Sequence, residues 1–160
     1  MDYPTEWVNS SRVVEKPDKS LRICIDPKPL NKYIKREHFS IPRPNDILGR
    51  LARKKIFTVI DLKDGFWQLK LNKTSSDLCT FNTPIGRYKF CRFPFGLSSA
   101  PELFQRKMHE IFGDIDGVDI YFDDLIISAK DDLTHDKILQ KVYDRKLSNN
   151  IKFSKNTIQT

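Results

Sequence analysis

The sequence predicts an α+β fold, in which helices cover one face of an antiparallel sheet. Short runs rich in β-branched and aromatic residues recur along the 160 residues, separated by turn residues. Two longer segments instead place apolar residues at helical spacing. The resulting order of strand, strands, helix, hairpin, helix and strand is typical of this fold class, and the length suits one domain with its own core.

The first elements are a hairpin, an irregular segment and a short helix. Residues 12–16 and 21–26 alternate in polarity on either side of the turn Pro17-Asp18-Lys19-Ser20. Residues 26–44 contain four prolines, which predicts an irregular connection. Residues 45–52 are predicted to form a helix capped by Asn45.

The middle of the chain is predicted to be mostly extended. Residues 55–60 form an apolar run typical of a buried strand, and residues 66–71 alternate like a second strand. A helical turn is expected over residues 74–77. Residues 79–83 and 88–92 are expected to pair across a Pro84-Ile85-Gly86-Arg87 turn.

Two helices and a last strand are predicted in the second half. Ser99 and Glu102 have capping-box spacing with Pro101 in the first turn, and Gly113 is expected to end that helix. Residues 134–148 predict a second helix, and residues 151–153 begin a strand. The side chains expected to point inward from this second helix are Ile138, Leu139, Val142, Tyr143 and Leu147.

Charge and composition indicate a polyanion as partner. The net charge is +7, from 28 Lys and Arg against 21 Asp and Glu, and the basic residues crowd the first third of the chain. No apolar run reaches the roughly 20 residues of a membrane span, and no secretory signal is visible. Three widely spaced cysteines favour a reducing compartment, such as the cytoplasm or the nucleus, over disulfides or structural zinc.

The strongest chemical signal is the motif Tyr121-Phe122-Asp123-Asp124, which lies between two apolar runs. Burying carboxylates costs several kcal/mol unless a partner compensates the charge. A hairpin that presents the acids at its turn, where a cation can neutralise them, resolves this conflict. Asp61 ends the earlier run at residues 57–60, and neighbouring strands lie only about 4.8 Å apart. We therefore expect Asp61, Asp123 and Asp124 to converge on divalent metal of the kind that serves phosphoryl transfer.

Simpler interpretations of these residues remain open. An Asp after a strand is often a turn or cap residue, and Asp-Asp pairs also occur in solvated loops. The histidines have no ligand spacing and are expected to be exposed or structural. The other acids expected at the surface are Asp114, Asp116, Asp119, Asp131, Asp132 and Asp136.

Several of these motifs resemble those of a known family. Residues 57–71, 93–112 and 121–128 are similar to the three central palm motifs of reverse transcriptases, above all those of gypsy-type long-terminal-repeat retrotransposons and retroviral Pol proteins. Residues 13–31 resemble the fingers region of the same enzymes. The most family-specific segment is Phe93-Pro94-Phe95-Gly96-Leu97-Ser98-Ser99-Ala100-Pro101.

The resemblance implies a single reverse transcriptase domain fragment. It consists of a polymerase palm, which is a ferredoxin-like antiparallel sheet with helices on one face, plus a partial fingers subdomain. Residues of about 1–55 and 74–92 would be fingers-like, and about 56–73 and 93–160 would be palm. The thumb, connection and ribonuclease H regions of the family would lie outside the chain.

The resemblance also implies an activity, a cofactor and partners. The activity is RNA-directed DNA polymerisation, a nucleotidyl transfer, with two Mg²⁺ ions for which Mn²⁺ could substitute. The partners are an RNA or DNA template with its primer, deoxynucleoside triphosphates and the rest of a Pol polyprotein, with no membrane.

Site residues follow by position from the same resemblance. Asp61 and Asp123 match the metal ligands and Asp124 the supporting acid, with the Leu62 carbonyl completing one metal shell. The positions that match nucleotide-binding residues are Lys16, Arg22, Asp64, Gly65, Phe66 and Phe95. The positions that match template or primer contacts are Pro94, Gly96 and Tyr121.

Alternatives and departures accompany this assignment. Lys16 and Arg22 could be solvated strand-edge charges, and Phe66 could be plain core. The chain has Thr157 and Ile158 where the family has a Lys-Cys pair. One rival function is a decayed or domesticated copy that folds and binds nucleic acid without catalysis. Another is an RNA-dependent RNA polymerase, although those enzymes typically carry Gly-Asp-Asp.

Overall fold

The computed structural model describes residues 5–17, 19–36 and 38–159, with backbone only for 155–159. The strands are β1 Ser10–Glu15, β2 Leu21–Asp26, β3 Ile56–Leu62, β4 Thr80–Thr83, β5 Gly86–Lys89, β6 Val118–Tyr121, β7 Asp124–Ala129 and β8 Phe153–Gln159. The helices are α1 Lys28–Asn31, α2 Pro44–Leu51, α3 Lys73–Leu78, α4 Ala100–Phe112 and α5 Asp132–Ser148, with a 3₁₀ helix at Gly65–Gln68.

A four-stranded antiparallel sheet organises the second half of the molecule. Its order is β6-β7-β3-β8, and the strand pairs β1-β2 and β4-β5 each form a separate two-stranded sheet. Helix α5 packs on β7 and β3, where the buried His135 Nε2 lies 3.1 Å from Thr58 Oγ1. This arrangement confirms the α+β class that the sequence predicts, and it gives His135 a structural role.

The described residues form two compact units, each built from two chain segments. The first unit contains those of Met1–Glu37 and Phe66–Pro101, and the second those of His38–Gly65 and Glu102–Thr160. A core cluster in the first unit includes Ile25, Leu30, Cys79, Phe81, Leu97 and Ala100. In the second unit the fully buried side chains include Ile60, Leu62, Phe104, Met108, Phe112, Leu125 and Ile127. The assignment of fingers and palm boundaries stays a prediction.

Most predicted elements are present, and their bounds move by no more than three residues. The predicted β1-β2 hairpin is present, with Val14 opposite Arg22, although Asp18 of its turn lies outside the described residues. The β4-β5 turn is shorter than predicted, because Gly86 already pairs with Thr83. Helix α4 ends just before Gly113, as predicted.

The segment at residues 66–71 is not a strand. It begins as the 3₁₀ helix Gly65–Gln68, and only Lys70 forms an isolated bridge, to Arg92. The rings of both Phe66 and Trp67 approach Phe95, with centroids 5.0 and 6.0 Å away. Consecutive strand residues point to opposite faces and could not share one ring in this way.

Three smaller predictions were wrong. The proline-rich segment contains helix α1, and α2 begins with Pro44 after the cap residue Arg43 rather than at Asn45. Tyr143 and Leu147 are exposed, so the buried face of α5 is narrower than predicted and includes His135, Ile138 and Val142.

None of the helices within the described ranges combines the length and the apolar composition required to cross a bilayer.

Candidate active site

Strand pairing brings the three predicted acids to one end of the central strands. Asp61 lies directly opposite Asp124 in the β3-β7 register. Asp123 occupies the two-residue turn between β6 and β7, and its carbonyl accepts a 2.7 Å hydrogen bond from the Leu62 amide. We call Asp61, Asp123 and Asp124 the acidic cluster.

The strand that carries Asp61 is irregular at that residue. On its β8 side, Ile60 pairs with Thr157 but Leu62 pairs with Phe153, so the register shifts across Asp61. Such bulges re-aim a side chain and are common beside active sites. Asp61 is exposed, whereas Asp123 and Asp124 are half-buried.

The turn at Asp123 is closely fitted to the chain around it. Phe122 has a φ of 50°, a left-handed conformation that costs a non-glycine residue roughly 1 kcal/mol or more. A Cβ atom on Gly65 would lie 2.8 Å from Asp123 Oδ1, and Gly65 itself has a φ of +46°. The Asp123 carboxylate therefore rests against a backbone surface that only glycine provides.

The electrostatics of the cluster favour a cation. Burial, and to a smaller extent the neighbouring Asp61 carboxylate, raise the pKa of Asp124 above its ordinary value. Both causes disfavour the charged form, and a bound divalent cation would oppose both. The donors are carboxylate oxygens, which Mg²⁺ prefers, so the donor chemistry of the acidic cluster suits such an ion.

A finished three-carboxylate ligand set is not formed. Within residues 5–17, 19–36 and 38–159, no three His, Cys, Asp or Glu side chains are grouped closely enough to hold one ion. The structure thus brings the three positions together through the backbone, while their convergence on a single ion stays a prediction.

The first unit contains a second group of predicted site residues around Phe95. The Arg22 guanidinium carbon lies 4.2 Å from the centroid of the Phe95 ring, and Phe66 packs on the same ring. Lys16 follows the end of β1, where its amide donates to Ser20 O. Since Val14 is opposite Arg22, the two-residue period places Lys16 and Arg22 on one face of the hairpin.

The loop that carries Phe95 is fixed by close contacts with β2 and with the Asn31 side chain. Gly96 has a φ of +115°, and a Cβ atom there would lie 2.2 Å from the Ile25 carbonyl oxygen. The Asn31 side chain donates to Gly96 O at 3.0 Å and accepts from the Ser98 amide at 2.9 Å. Pro94 in the same loop is fully buried, so the loop conformation is strongly determined.

Sequence reasoning missed the residues that hold both groups in place. Asp119 was expected at the surface, but it is buried and lies 2.6 Å from the Arg50 Nε atom. Gln105 and Asn31 make side-chain bonds to the backbone of the Asp123 turn and of the Phe95 loop. No local pattern distinguishes such amides from solvated ones, because their partners are distant along the chain.

The half-buried Tyr121 packs edge-on against Phe122, with centroids 4.8 Å apart.

Comparison with known proteins decides the family. A family model described as reverse transcriptase (RNA-dependent DNA polymerase) matches residues 14–160. The chain belongs to the reverse transcriptase family. Curated relatives of this reverse transcriptase segment include the retrovirus-related Pol polyproteins of two Drosophila melanogaster transposons. It is 42% identical to that of transposon 412 over 68% of the chain, and 35% identical to that of transposon 297 over 91% of it.

Solved structures show the same likeness. The foamy viral protease–reverse transcriptase in complex with double-stranded DNA matches 96% of the chain with a TM-score of 0.88 and 27% identity. The same viral enzyme in complex with an RNA/DNA hybrid matches 99% with a TM-score of 0.87. The segment spans only 9% and 14% of the two transposon polyproteins, and 27% and 22% of these two viral chains.

Proposed function

We propose that this segment is the catalytic core of a gypsy-type retroelement reverse transcriptase, with a palm and part of the fingers. It would add deoxynucleotides to a primer 3′-hydroxyl, directed by an RNA or DNA template. The observation that supports this proposal best is the β3-β7 register. It sets Asp61 opposite Asp124 and next to the turn that carries Asp123.

Two Mg²⁺ ions, or Mn²⁺ in their place, would supply activation of the primer hydroxyl and neutralisation of the phosphate charge. Asp61 and Asp123 would hold them together with the Leu62 carbonyl, and Asp124 would support the set. The raised pKa of Asp124 agrees with this role, because a carboxyl that is costly to ionise alone gains most from a nearby cation.

The remaining proposed roles concern the nucleotide and the template. Arg22 and Lys16 would bind the triphosphate, an anion that suits two cations on one hairpin face. The backbone at Asp64 and Gly65 would approach the phosphates, and Phe66 would select the deoxyribose. Within the first unit, the ring contacts of Phe66 and Phe95 support a rigid platform for this purpose. Gly96 and Pro94 would shape the template contact, and Tyr121 would contact the template or primer.

The proposed partners follow from the relatives and from charge. The net charge of +7 suits a nucleic acid duplex, and the rest of a Pol polyprotein is a natural partner because the relatives are polyproteins.

Primer extension tests the proposal. On an RNA template with a DNA primer at low salt, the protein should incorporate deoxynucleotides and reject ribonucleotides when Mg²⁺ is added. Asp61→Asn and Asp123→Asn should each lower the rate at least about a thousandfold, since metal ligation contributes several kcal/mol. The matched control is Asp132→Asn, on the exposed first turn of α5. No incorporation at any protein concentration, or a preference for ribonucleotides, would reject the proposal.

A further inference from the structure

We infer that the Gln105 carboxamide acts as a substitute for a neighbouring strand beside β6, and that it thereby positions the turn that carries Asp123. Gln105 is a positioning residue in this inference, since its bonds reach the site only through the backbone. The inference rests on the function proposed above for the acidic cluster.

Gln105 makes two hydrogen bonds to the hairpin from helix α4. Its Nε2 atom donates to the Ile120 carbonyl at 2.8 Å, and its Oε1 atom accepts from the Phe122 amide at 3.0 Å. The two bonded groups lie on either side of Tyr121, and the Gln105 side chain is 1% exposed. One side chain therefore fixes the backbone immediately before Asp123.

The bonding pattern is that of one residue in a parallel β-bridge. In such a bridge, one residue donates to the carbonyl before its opposite residue and accepts from the amide after it. The carboxamide of Gln105 satisfies the same two groups around Tyr121. Strand β6 is the edge of the sheet, with β7 as its neighbour on the other side, so the carboxamide occupies the position of a further strand.

The turn requires this support for two reasons. Ile120 is buried, so its carbonyl would have no water to replace a lost partner. Phe122 holds a left-handed backbone conformation, which persists only where the surroundings determine it. Loss of the hydrogen bond from the Phe122 amide to Gln105 would allow the turn to relax. Because Asp123 is the next residue, its carboxylate would move with the turn.

The central test is Gln105→Met, which keeps the length of the side chain and removes both hydrogen bonds. In primer extension we expect kcat to fall about 10- to 100-fold, the effect typical of a displacement near 1 Å at a reacting centre. The KM for the nucleotide should stay within about twofold, because both Gln105 hydrogen bonds go to the backbone beside Tyr121 and neither goes to a residue proposed to bind the nucleotide.

A matched control separates positioning from loss of stability. Phe112→Leu alters a fully buried residue at the C-terminal end of α4, where Phe112 packs against Phe153. Both variants are measured well below their Tm. A kcat for Gln105→Met that is no lower than that of Phe112→Leu would overturn the inference.

Amide hydrogen exchange provides a readout that does not depend on activity. The Phe122 amide should exchange slowly in the wild-type protein and at least about tenfold faster in Gln105→Met, while Phe112→Leu leaves it unchanged. If the wild-type protein extends no primer, the proposed function fails, and the Phe122 exchange rate alone then decides the inference. Equal protection in the two variants would reject it.

Discussion

The Asp123 turn in the second unit and the Phe95 loop in the first are both fixed by hydrogen bonds from a side-chain carboxamide. The two sets of hydrogen bonds differ in how much water can reach them. Each has a side-chain carboxamide that donates to a backbone carbonyl and accepts from a nearby amide, Gln105 for the turn and Asn31 for the loop. Gln105 is buried, whereas the Asn31 bond to Gly96 is exposed. The same device should therefore contribute more where water cannot replace the lost partner.

A glycine completes each region, and here the difference is larger. The Cβ atom missing from Gly96 would meet the Ile25 backbone carbonyl, while the one missing from Gly65 would meet the Asp123 side chain. A backbone atom cannot move without its strand, but a carboxylate can rotate away. We therefore expect substitution of Gly96 to reduce stability and substitution of Gly65 to reduce activity.

Gly96→Ala is expected to have the largest effect. The 2.2 Å approach to Ile25 O and the φ of +115° should together lower the free energy of unfolding by about 3 kcal/mol or more. Urea denaturation measures this loss. Gly49→Ala is the matched control, because nothing lies within 4 Å of its added Cβ in helix α2; it should be neutral or stabilising by up to about 1 kcal/mol. Equal losses in the two variants would contradict the clash.

Gly65→Ala should affect the reaction more than the fold. The added methyl group must displace the Asp123 carboxylate from a 2.8 Å contact, so kcat should fall about 10- to 100-fold. The free energy of unfolding should fall by only about 1–2 kcal/mol, the cost of a left-handed alanine. Primer extension and urea denaturation on the same preparation check both numbers. A stability loss that accounts for the whole loss of rate would remove the distinction between the two regions.

Asn31→Ala should lower the free energy of unfolding by about 1–2 kcal/mol, because two hydrogen bonds to the loop are lost and one of them is exposed to water. Thermal denaturation measures the shift, with Asn45→Ala on the exposed first turn of α2 as the control. A larger loss than that of Gln105→Met would reverse the predicted order of the two carboxamides.

The smallest effect concerns pH and the core beneath the loop. Burial raises the pKa of Cys79 from 9.0 to about 11, so the folded state retains the proton longer than the unfolded state does. The stability that depends on the neutral thiol is complete below pH 9 and is lost as the pH rises towards about 11. Cys79→Ala should flatten this part of the stability profile. A thiol reagent at pH 8 should modify the exposed Cys91 and leave Cys79 unreacted; rapid labelling of both would show that this core opens readily.

Local elements were predictable wherever a local cause dominates. The β1-β2 hairpin, strand β3, the turn at Asp123 and the end of α4 at Gly113 each follow from alternation, β-branching or a helix stop within a few residues. Residues 66–71 failed because alternation over six residues does not distinguish a strand from a tight helical turn packed on a distant ring. The position of Phe95, almost 30 residues later in the sequence, decided that segment.

The residues of the candidate site likewise fall into those that local sequence predicts and those that it does not. Asp61, Asp123 and Asp124 were identifiable because an acid at the end of an apolar run is costly and needs a reason. Asp119 was predicted to lie at the surface with the other acids, but it is buried against Arg50. Nothing near Asp119 in the sequence indicates that partner. The roles of Gln105 and Asn31 could not be predicted for the same reason.

The sequence by itself determined which acids, glycines and strands exist, because charge, backbone freedom and β-propensity are properties of each residue and its immediate neighbours. Only the tertiary structure decided that Asp61 faces Asp124, that Gly65 lies under the Asp123 carboxylate, and that two carboxamides hold the turn and the loop. Those contacts join residues far apart along the chain, and they form only when burial of the shared cores brings the segments together.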